Sequence, residues 1–527
     1  MQLHDFALFI LTIIVKRRII HLHINDNECL DLFYNIGRVC LICRMQSVER
    51  KGKKVKKNLL KKVMLFLAIS MMIPVIVSCA KAPQKPSESS GTNGITSGGE
   101  SDAKLELPNK TYNGYDFRVF CRPEANSDTV WVSDLFAEAE DSTRVGSAVY
   151  KRNEWVCDLL DCKLSYTLSS NSNMETDAMT VLFSGEDAYD LLMPHGRSIM
   201  TYADEGYLLD WEKDLVWCDL DKPWWDQEAR ETFSINNRLY VMNGDISYMS
   251  IGYTFAMFFN KDLMDELKIE YPYETVKNGE WTFDVFQKMV KQGAKDMNGD
   301  GNINVGEDRF GYSTHEHGAS FQVMYSTGSR LLLKDSDDIP YCPGVTDATD
   351  KAYSEFYSLI DSSYATMYFN KDGDKSVDVE AEQALFWDTY VNGLTTMGDY
   401  DFEFGLVPWP NFNEGDEGYS CHVSCYVHEF GVPYTVLDAE RTSAIIEALC
   451  YGGYQSVIDE YYEQTLQIQK SRDEESKEML QIIKDSRAYD LGFFHTSLDP
   501  LSNMGNLIAT IPTHSLATFY NKYKTSI

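Results

Sequence analysis

The sequence predicts an α/β body built on largely parallel sheet, and three observations carry that prediction. Residues 116–121 (DFRVFC) alternate apolar and polar side chains with the period of a half-buried strand. Residues 146–160 (GSAVYKRNEWVCDLL) then place apolar groups at helical spacing. Strand-like 163–168, a short apolar run at 188–193 and further helical stretches continue the alternation, which is the order of βαβ units rather than of an all-β or all-α chain. Later, 283–295, 350–362, 439–451 and 456–470 read as helices, and 404–407 and 423–432 as strands.

Composition agrees with a folded body. The chain has 527 residues, 44% hydrophobic and 24% charged, too long for a single ordinary core. It carries 48 Lys and Arg against 80 Asp and Glu, a net charge of −32, which argues against nucleic acid and against adsorption of the body to an anionic membrane. The charge is segregated. Residues 1–78 hold 13 basic and 5 acidic residues, whereas the remainder holds 35 and 75, a net of −40.

The basic front reads as an export signal. Arg50, Lys51, Lys53, Lys54, Lys56, Lys57, Lys61 and Lys62 precede residues 63–78, which carry no charge and are short for a membrane-spanning helix, with Pro74 inside. Residues 76–79 (IVSC) resemble the lipobox of bacterial lipoproteins, which implies Cys79 as a lipidated N-terminus; the plainer alternative is a signal peptide with an incidental cysteine. Residues 1–44 fit no part of a signal and are expected to precede the true start, at Met45 or Val55, the alternative being a cytoplasmic extension. Residues 45–78 are then the signal peptide and 79–106, rich in Ser, Gly and Pro, the tether. Of twelve cysteines, eight lie in the body; Cys157 and Cys162 are near in sequence, but Cys157 sits in a predicted helix and most thiols are expected to be free.

Several phrases in the body together resemble the extracellular solute-binding proteins of ABC importers, of the carbohydrate-binding, maltose-binding-protein-like type. They are Tyr189-Asp190-Leu191 after Ser184-Gly185-Glu186-Asp187, the run Asp221-Lys222-Pro223-Trp224-Trp225-Asp226, and Asn237-Arg238-Leu239-Tyr240. Phe258-Phe259-Asn260-Lys261-Asp262-Leu263, Phe404-Gly405-Leu406-Val407-Pro408 and Arg487-Ala488-Tyr489-Asp490-Leu491-Gly492 complete the set. The resemblance spans nearly all of residues 110–527. It implies a two-lobed, type II periplasmic-binding-protein-like fold with lobes joined by crossing strands at a hinge, near residues 245–253 and 422–426. Lobe 1 is then 107–245 plus 424–470, and lobe 2 is 246–423 plus 471–527. It further implies capture of a carbohydrate, an oligosaccharide above all, and delivery to ABC permease subunits. The protein would be a monomer, not an enzyme, held to the outer face of the bacterial membrane through Cys79 alone.

Aromatics make up 13% of the chain, and sugars pack their C–H faces on such rings. Most of these rings must be core. The candidates for ligand contact are Trp387 with the neighbouring carboxylate Asp388, Asp245 and Tyr253 at the first implied crossing, Trp224, Trp225, Trp409, and His195 at a predicted strand end. Glu316, His317 and Arg330 are secondary polar candidates.

Residues 296–307 match a twelve-residue calcium loop. Asp296, Asn298, Asp300 and Asn304 stand at positions 1, 3, 5 and 9, Gly301 at 6 and Glu307 at 12, with Asn302 offering its backbone carbonyl. The pattern predicts a structural Ca²⁺ on a helix–loop–strand unit; the bland alternative is an ion-free turn. Two further clusters, His315-Glu316-His317 and Cys421, Cys425 with His428, are poor zinc patterns, since adjacent strand residues face opposite ways and no second cysteine pair completes the other. The rival to a binding protein is a lipid-anchored carbohydrate-active enzyme. Carboxylate pairs occur in any acidic protein and no nucleophile elbow or phosphate loop is present in the body, so the binding protein is preferred.

Overall fold

The computed structural model describes residues 103–523 apart from 123–124, 127–128, 131–132, 138–142, 170–176, 369–378, 399, 413–417, 469–473, 499 and 510–514. All of these lie in the compact unit Ser97–Ile527. The expected extension, signal peptide, lipidated Cys79 and most of the tether lie outside the described residues.

The first sheet opens with β1 (Tyr115–Cys121). Helix α1 (Arg144–Leu160) follows, capped at its start by the Thr143 side chain, which accepts from Gly146 N, and closed by Asp161 in the left-handed region. β2 (Cys162–Leu168) and β3 (Leu191–Met193) complete a parallel sheet in the order β2-β1-β3. The short α2 (Gly196–Asp204) leaves directly from β3.

The second sheet contains β4 (Phe255–Asn260), β5 (Phe310–His315), β6 (Ala365–Tyr368), β7 (Ala384–Tyr390) and β8 (Phe404–Val407), in the order β6-β5-β7-β4-β8. β5, β6 and β7 run parallel, and β4 runs against both β7 and β8. Helix α3 (Glu316–Tyr325) begins where β5 ends.

The two sheets obey one rule. Next to β3 in the first sheet lies the antiparallel segment 428–433, through the Leu192–Gly431 and His195–His428 bridges, and beyond it Met242 pairs with Phe430. That antiparallel segment has just arrived from the second lobe. In the second sheet the antiparallel strand is β4, which has just arrived from the first. This exchange is the type II order, and the two-lobed α/β architecture implied by the resemblance is the one observed. At the crossing, Thr254 bridges to Val423, and β9 (Cys421–His422) pairs with β10 (Arg487–Ala488) as the chain returns a third time. Ahead of that return, α4 (Ala439–Gly452), α5 (Ile458–Ile468) and α6 (Glu474–Asp485) form a helical layer.

Element limits shift by a few residues from the sequence reading, with one larger difference. The predicted strand 423–432 is interrupted by a turn at 425–426. Local pattern shows a run of Val, Cys and Tyr; the break comes from the turn meeting α2, whose Gly196 N donates to Cys425 O and Val427 O, both at 3.1 Å.

β4 explains why its sequence, FAMFFN, is apolar without alternation. Every residue in it is buried. Phe255, Met257 and Phe259 face the larger core, while Ala256 and Phe258 face a second core shared with Val145 and Val149 of α1, Trp387, Phe404 and Leu480. A strand covered on both faces has no use for a polar face. Phe258→Ala is expected to lower unfolding free energy by about 3–5 kcal/mol, the cost of an aromatic-sized cavity. Urea titration checks this, and a loss below about 1 kcal/mol would mean the second core does not pack as described.

Candidate functional site

The site grows from strand ends. β1 ends at Cys121 and the chain continues to Arg122; β3 ends at Met193 and continues through Pro194 to His195. In the second lobe β7 ends at Tyr390, across from the end of β5 at His315. Carboxyl ends of parallel strands are where side chains leave a sheet without a partner strand, and where α/β folds place ligands.

The crossing links these ends through a line of rings. Tyr426, in the turn that interrupts the returning segment, is 47% exposed. Its ring meets the His195 ring edge-on, with centroids 5.2 Å apart, and stacks on Tyr253 at 6.1 Å and 26°. Tyr253 in turn lies 5.8 Å from Tyr390, which packs on Phe255. The strip His195–Tyr426–Tyr253–Tyr390 therefore runs from the first lobe to the second.

Neighbouring groups anchor the strip. Arg122 is buried, donates to Tyr426 O at 2.5 Å and lies 5.7 Å from the centroid of the Tyr426 ring. Burial lowers the Arg122 pKa to about 10, which leaves it charged at neutral pH. His195 caps α2, its Nδ1 accepting from Arg197 N at 3.1 Å. Burial, and then the nearby Arg122 and Arg197, push its pKa well below the usual value, so the imidazole is neutral. Ser424 N donates to Tyr253 O at 3.0 Å and ties the two crossing segments.

Of the residues singled out from sequence, the structure brings His195 and Tyr253 together in this strip. The others lie elsewhere. Trp387 is 5% exposed, stacked on Phe258 at 5.8 Å and edged by Phe402 and Phe404 in the second core. Asp388 points to the opposite face of β7 and is equally buried; it accepts from Tyr312 Oη, from Thr314 Oγ1 at 2.7 Å and from Trp409 Nε1 at 3.0 Å. Trp409 is thus a core donor. Burial raises the Asp388 pKa to about 6 against these three donors. Trp224 and Trp225 are buried and donate to the two carboxylate oxygens of Glu447, at 3.1 and 2.9 Å. For these five side chains the expected cleft position gives way to an interior one. Asp388, Trp409, Trp224 and Trp225 spend polar atoms on partners inside a lobe, whereas Trp387 packs its ring in the second core with its Nε1 buried and without a partner among the described residues.

Asp245 is 5% exposed and its Oδ2 has no hydrogen-bond partner among the described residues. Burial raises its pKa, opposed by Lys484 and Arg487. Those two basic groups line a cavity of about 600 Å³ with Trp225, Asp226, Tyr454 and Tyr462. Arg487 there pairs with Asp226 at 2.9 Å. The cavity shares no lining residue with the strip. Arg330 stacks on Tyr325 and pairs with Glu228 at 3.7 Å.

The acidic loop joins helix Phe283–Gly293 to β5, a helix–loop–strand unit. Asp296 accepts from Gly299 N at 2.6 Å and Gly301 N at 2.7 Å, Asn298 Oδ1 from Asp300 N, and Asp300 Oδ1 from Asn302 N. Gly301 at φ +92° makes the sharp turn. Asn298 Nδ2 meets Glu307 Oε2 at 3.1 Å, so the side chains of loop positions 3 and 12 lie together. The sequence reading missed Asp308, a buried carboxylate that closes the loop by accepting from Met297 N and Asn304 N, both at 2.8 Å. Among the described residues no three His, Cys, Asp or Glu side chains converge as a metal site. The loop carboxylates are instead turned onto their own N–H groups. Their chemistry, hard oxygens with a tight glycine turn, fits Ca²⁺. Near the hinge, Cys421 and Cys425 are buried, and His428 Nδ1 faces Asp134 Oδ2 at 3.1 Å.

No family model and no curated protein sequence matches the chain. Solved structures do. A sugar transporter from Rhizobium etli, in an open conformation, is 12% identical with a TM-score of 0.54, covering 79% of this chain and 100% of its own. UspC of Mycobacterium tuberculosis is 13% identical with a TM-score of 0.53, covering 78% and 99%. At such identity the match establishes the fold. The same two-lobed architecture is present in both.

Glu447 supplies a pH test of this description. Burial raises its pKa from the usual carboxylate value to about 8, so the folded state holds a proton that the unfolded state has released. Its contribution to stability is then largest below the unfolded pKa and falls as pH rises towards 8. Melting temperature across this window is expected to fall less steeply in Glu447→Gln than in the parent protein. An unchanged slope would mean that Glu447 is not the titrating group.

Proposed function

We propose that the protein captures a carbohydrate between its two lobes and hands it to an ABC permease, without chemical change to the sugar. The observation that carries this reading is the strip His195–Tyr426–Tyr253–Tyr390, which reaches both lobes and has at its centre a half-exposed ring. A pyranose offers an apolar face to such a ring and hydroxyls to the groups around it. A neutral His195, its Nδ1 already accepting from Arg197 N, carries its proton on Nε2 and can donate from there. Closure of the lobes would desolvate the sugar against the strip, a hinge movement for which this fold has three adjacent chain passes. That the Rhizobium etli protein with this fold is a sugar transporter supports the choice of ligand class.

We propose also that the protein is exported, that Cys79 carries the lipid anchor, and that it works as a monomer, since one chain supplies both lobes of the site. The acidic loop would hold a structural Ca²⁺ through Asp296, Asn298, Asp300, the Asn302 carbonyl and Glu307, with Asn304 at the position often bridged by water. The ion would replace the loop's internal hydrogen bonds with a firmer cross-link and so fix the entry to β5.

Calorimetry with a panel of mono- and oligosaccharides is expected to find one class that binds. Tyr426→Ala should then weaken it at least about tenfold, equivalent to about 1.4 kcal/mol, while Trp387→Phe leaves affinity unchanged. Weakening by Trp387→Phe but not by Tyr426→Ala would place the site elsewhere, and turnover of the sugar would favour an anchored enzyme. For the loop, titration of chelator-stripped protein should give Ca²⁺ binding that Glu307→Gln greatly weakens. No heat at millimolar Ca²⁺ would exclude the ion.

A further inference from the structure

We infer that Cys157 and Cys162 form an intrachain disulfide when the protein meets a dithiol-oxidising environment. All eight described cysteines are free thiols in this structure. This pair is distinguished by the turn between them. α1 ends with Asp161 at φ +47° and ψ 62°, and the Asp161 N–H returns to Cys157 O. That left-handed residue reverses the chain, so that β2 starts at Cys162 directly beside the last turn of α1. Cys162 Sγ consequently lies 3.9 Å from Val156 O, the carbonyl immediately before Cys157, and a left-handed cap of this kind sets the residue that follows it against the last turn of the helix, where Cys157 stands. The helix cap fixes the backbone between the two cysteines whether or not they are bonded, so little new backbone order is needed to join them.

The two thiols are unlike in ways that suit exchange. Cys157 is half-buried and reachable, whereas Cys162 is 6% exposed. The neighbouring Cys162 thiol draws the Cys157 pKa below the usual thiol value, and the Cys157 side chain, then burial, raise the Cys162 pKa. Cys157 is therefore the attacking sulfur and Cys162 the resolving one. The Cys157 thiolate attacks one sulfur of a disulfide oxidant, forming a mixed disulfide and releasing a thiolate. That thiolate, or water, takes the Cys162 proton. The Cys162 sulfur then attacks Cys157 and expels the second thiol. Two S–H bonds are lost, one S–S bond forms, and two electrons and two protons end on the oxidant, now a pair of thiols.

Residues 153–163, between Arg152 and Lys163, form one tryptic peptide holding both cysteines. The purified folded chain is to be incubated with oxidised glutathione, quenched with acid, alkylated under denaturing conditions and digested. The expected result is a peptide two hydrogens lighter than its reduced form, blocked to alkylation until a reductant is added. In Cys162→Ser the glutathione adduct should persist on Cys157. Full alkylation of both cysteines after oxidant, or a glutathione adduct on Cys157 of the parent chain that never resolves, would overturn the inference. The result does not depend on the sugar-binding reading. Export bears only on where the oxidant would be met, since disulfides persist mainly outside the cytosol.

Discussion

Each sheet lacks its antiparallel strand until the other lobe supplies the chain for it. β4 belongs to the second sheet but is threaded from the first lobe, and 428–433 belongs to the first sheet but is threaded from the second. Backbone N–H and C=O groups in a buried sheet must be paired. Neither lobe can therefore satisfy its own hydrogen bonds without fixing the crossing, and the rest of the molecule follows from this. The crossing segments are adjacent because both sheets need them, and the strand ends of the two lobes meet beside them. The aromatic strip lies there because Tyr253 and Tyr426 sit in the two crossing segments.

A second constraint sorts the chemistry-bearing residues. Trp and carboxylate side chains look like ligand groups in a sequence, yet several of them here solve interior problems. The two indole N–H groups of Trp224 and Trp225 share Glu447, and Asp388 gathers a phenol, a hydroxyl and an indole within the second lobe. A buried carboxylate is tolerated when donors surround it, and removing one partner would leave a costly orphan. In Tyr426 the opposite holds. The turn that carries it is bonded to α2 through its backbone, so the ring is left half-exposed.

The fold does not decide the function, because sites and not architectures carry chemistry. What moves the reading from a fold to a carbohydrate binder is the placement of rings at strand ends in both lobes. The acidic loop and the thiol pair stand apart from that site. Both are local structures, set by glycine turns in one case and by a helix cap in the other.

Much of the fold can be read along the chain. Period-two runs and helical spacing mark β1, α1, β2 and the later helices to within a few residues, because these patterns reflect local geometry and one-sided burial. The acidic loop was legible for the same reason, since its spacing is a property of twelve consecutive residues, although Asp308, which closes it, lay one residue past the motif. His195 and Tyr253, singled out at a strand end and a crossing, both stand in the strip. Tyr426, Arg122 and Tyr390 were not. Tyr426 lies in a run that reads as strand, and only docking of the turn on α2 breaks it; Arg122 and Tyr390 are unremarkable until distant segments converge. Likewise, Trp387 and Asp388 gave no local sign that both faces of β7 are covered. Burial of a side chain depends on what packs over it from far along the chain, and only the tertiary structure decides that.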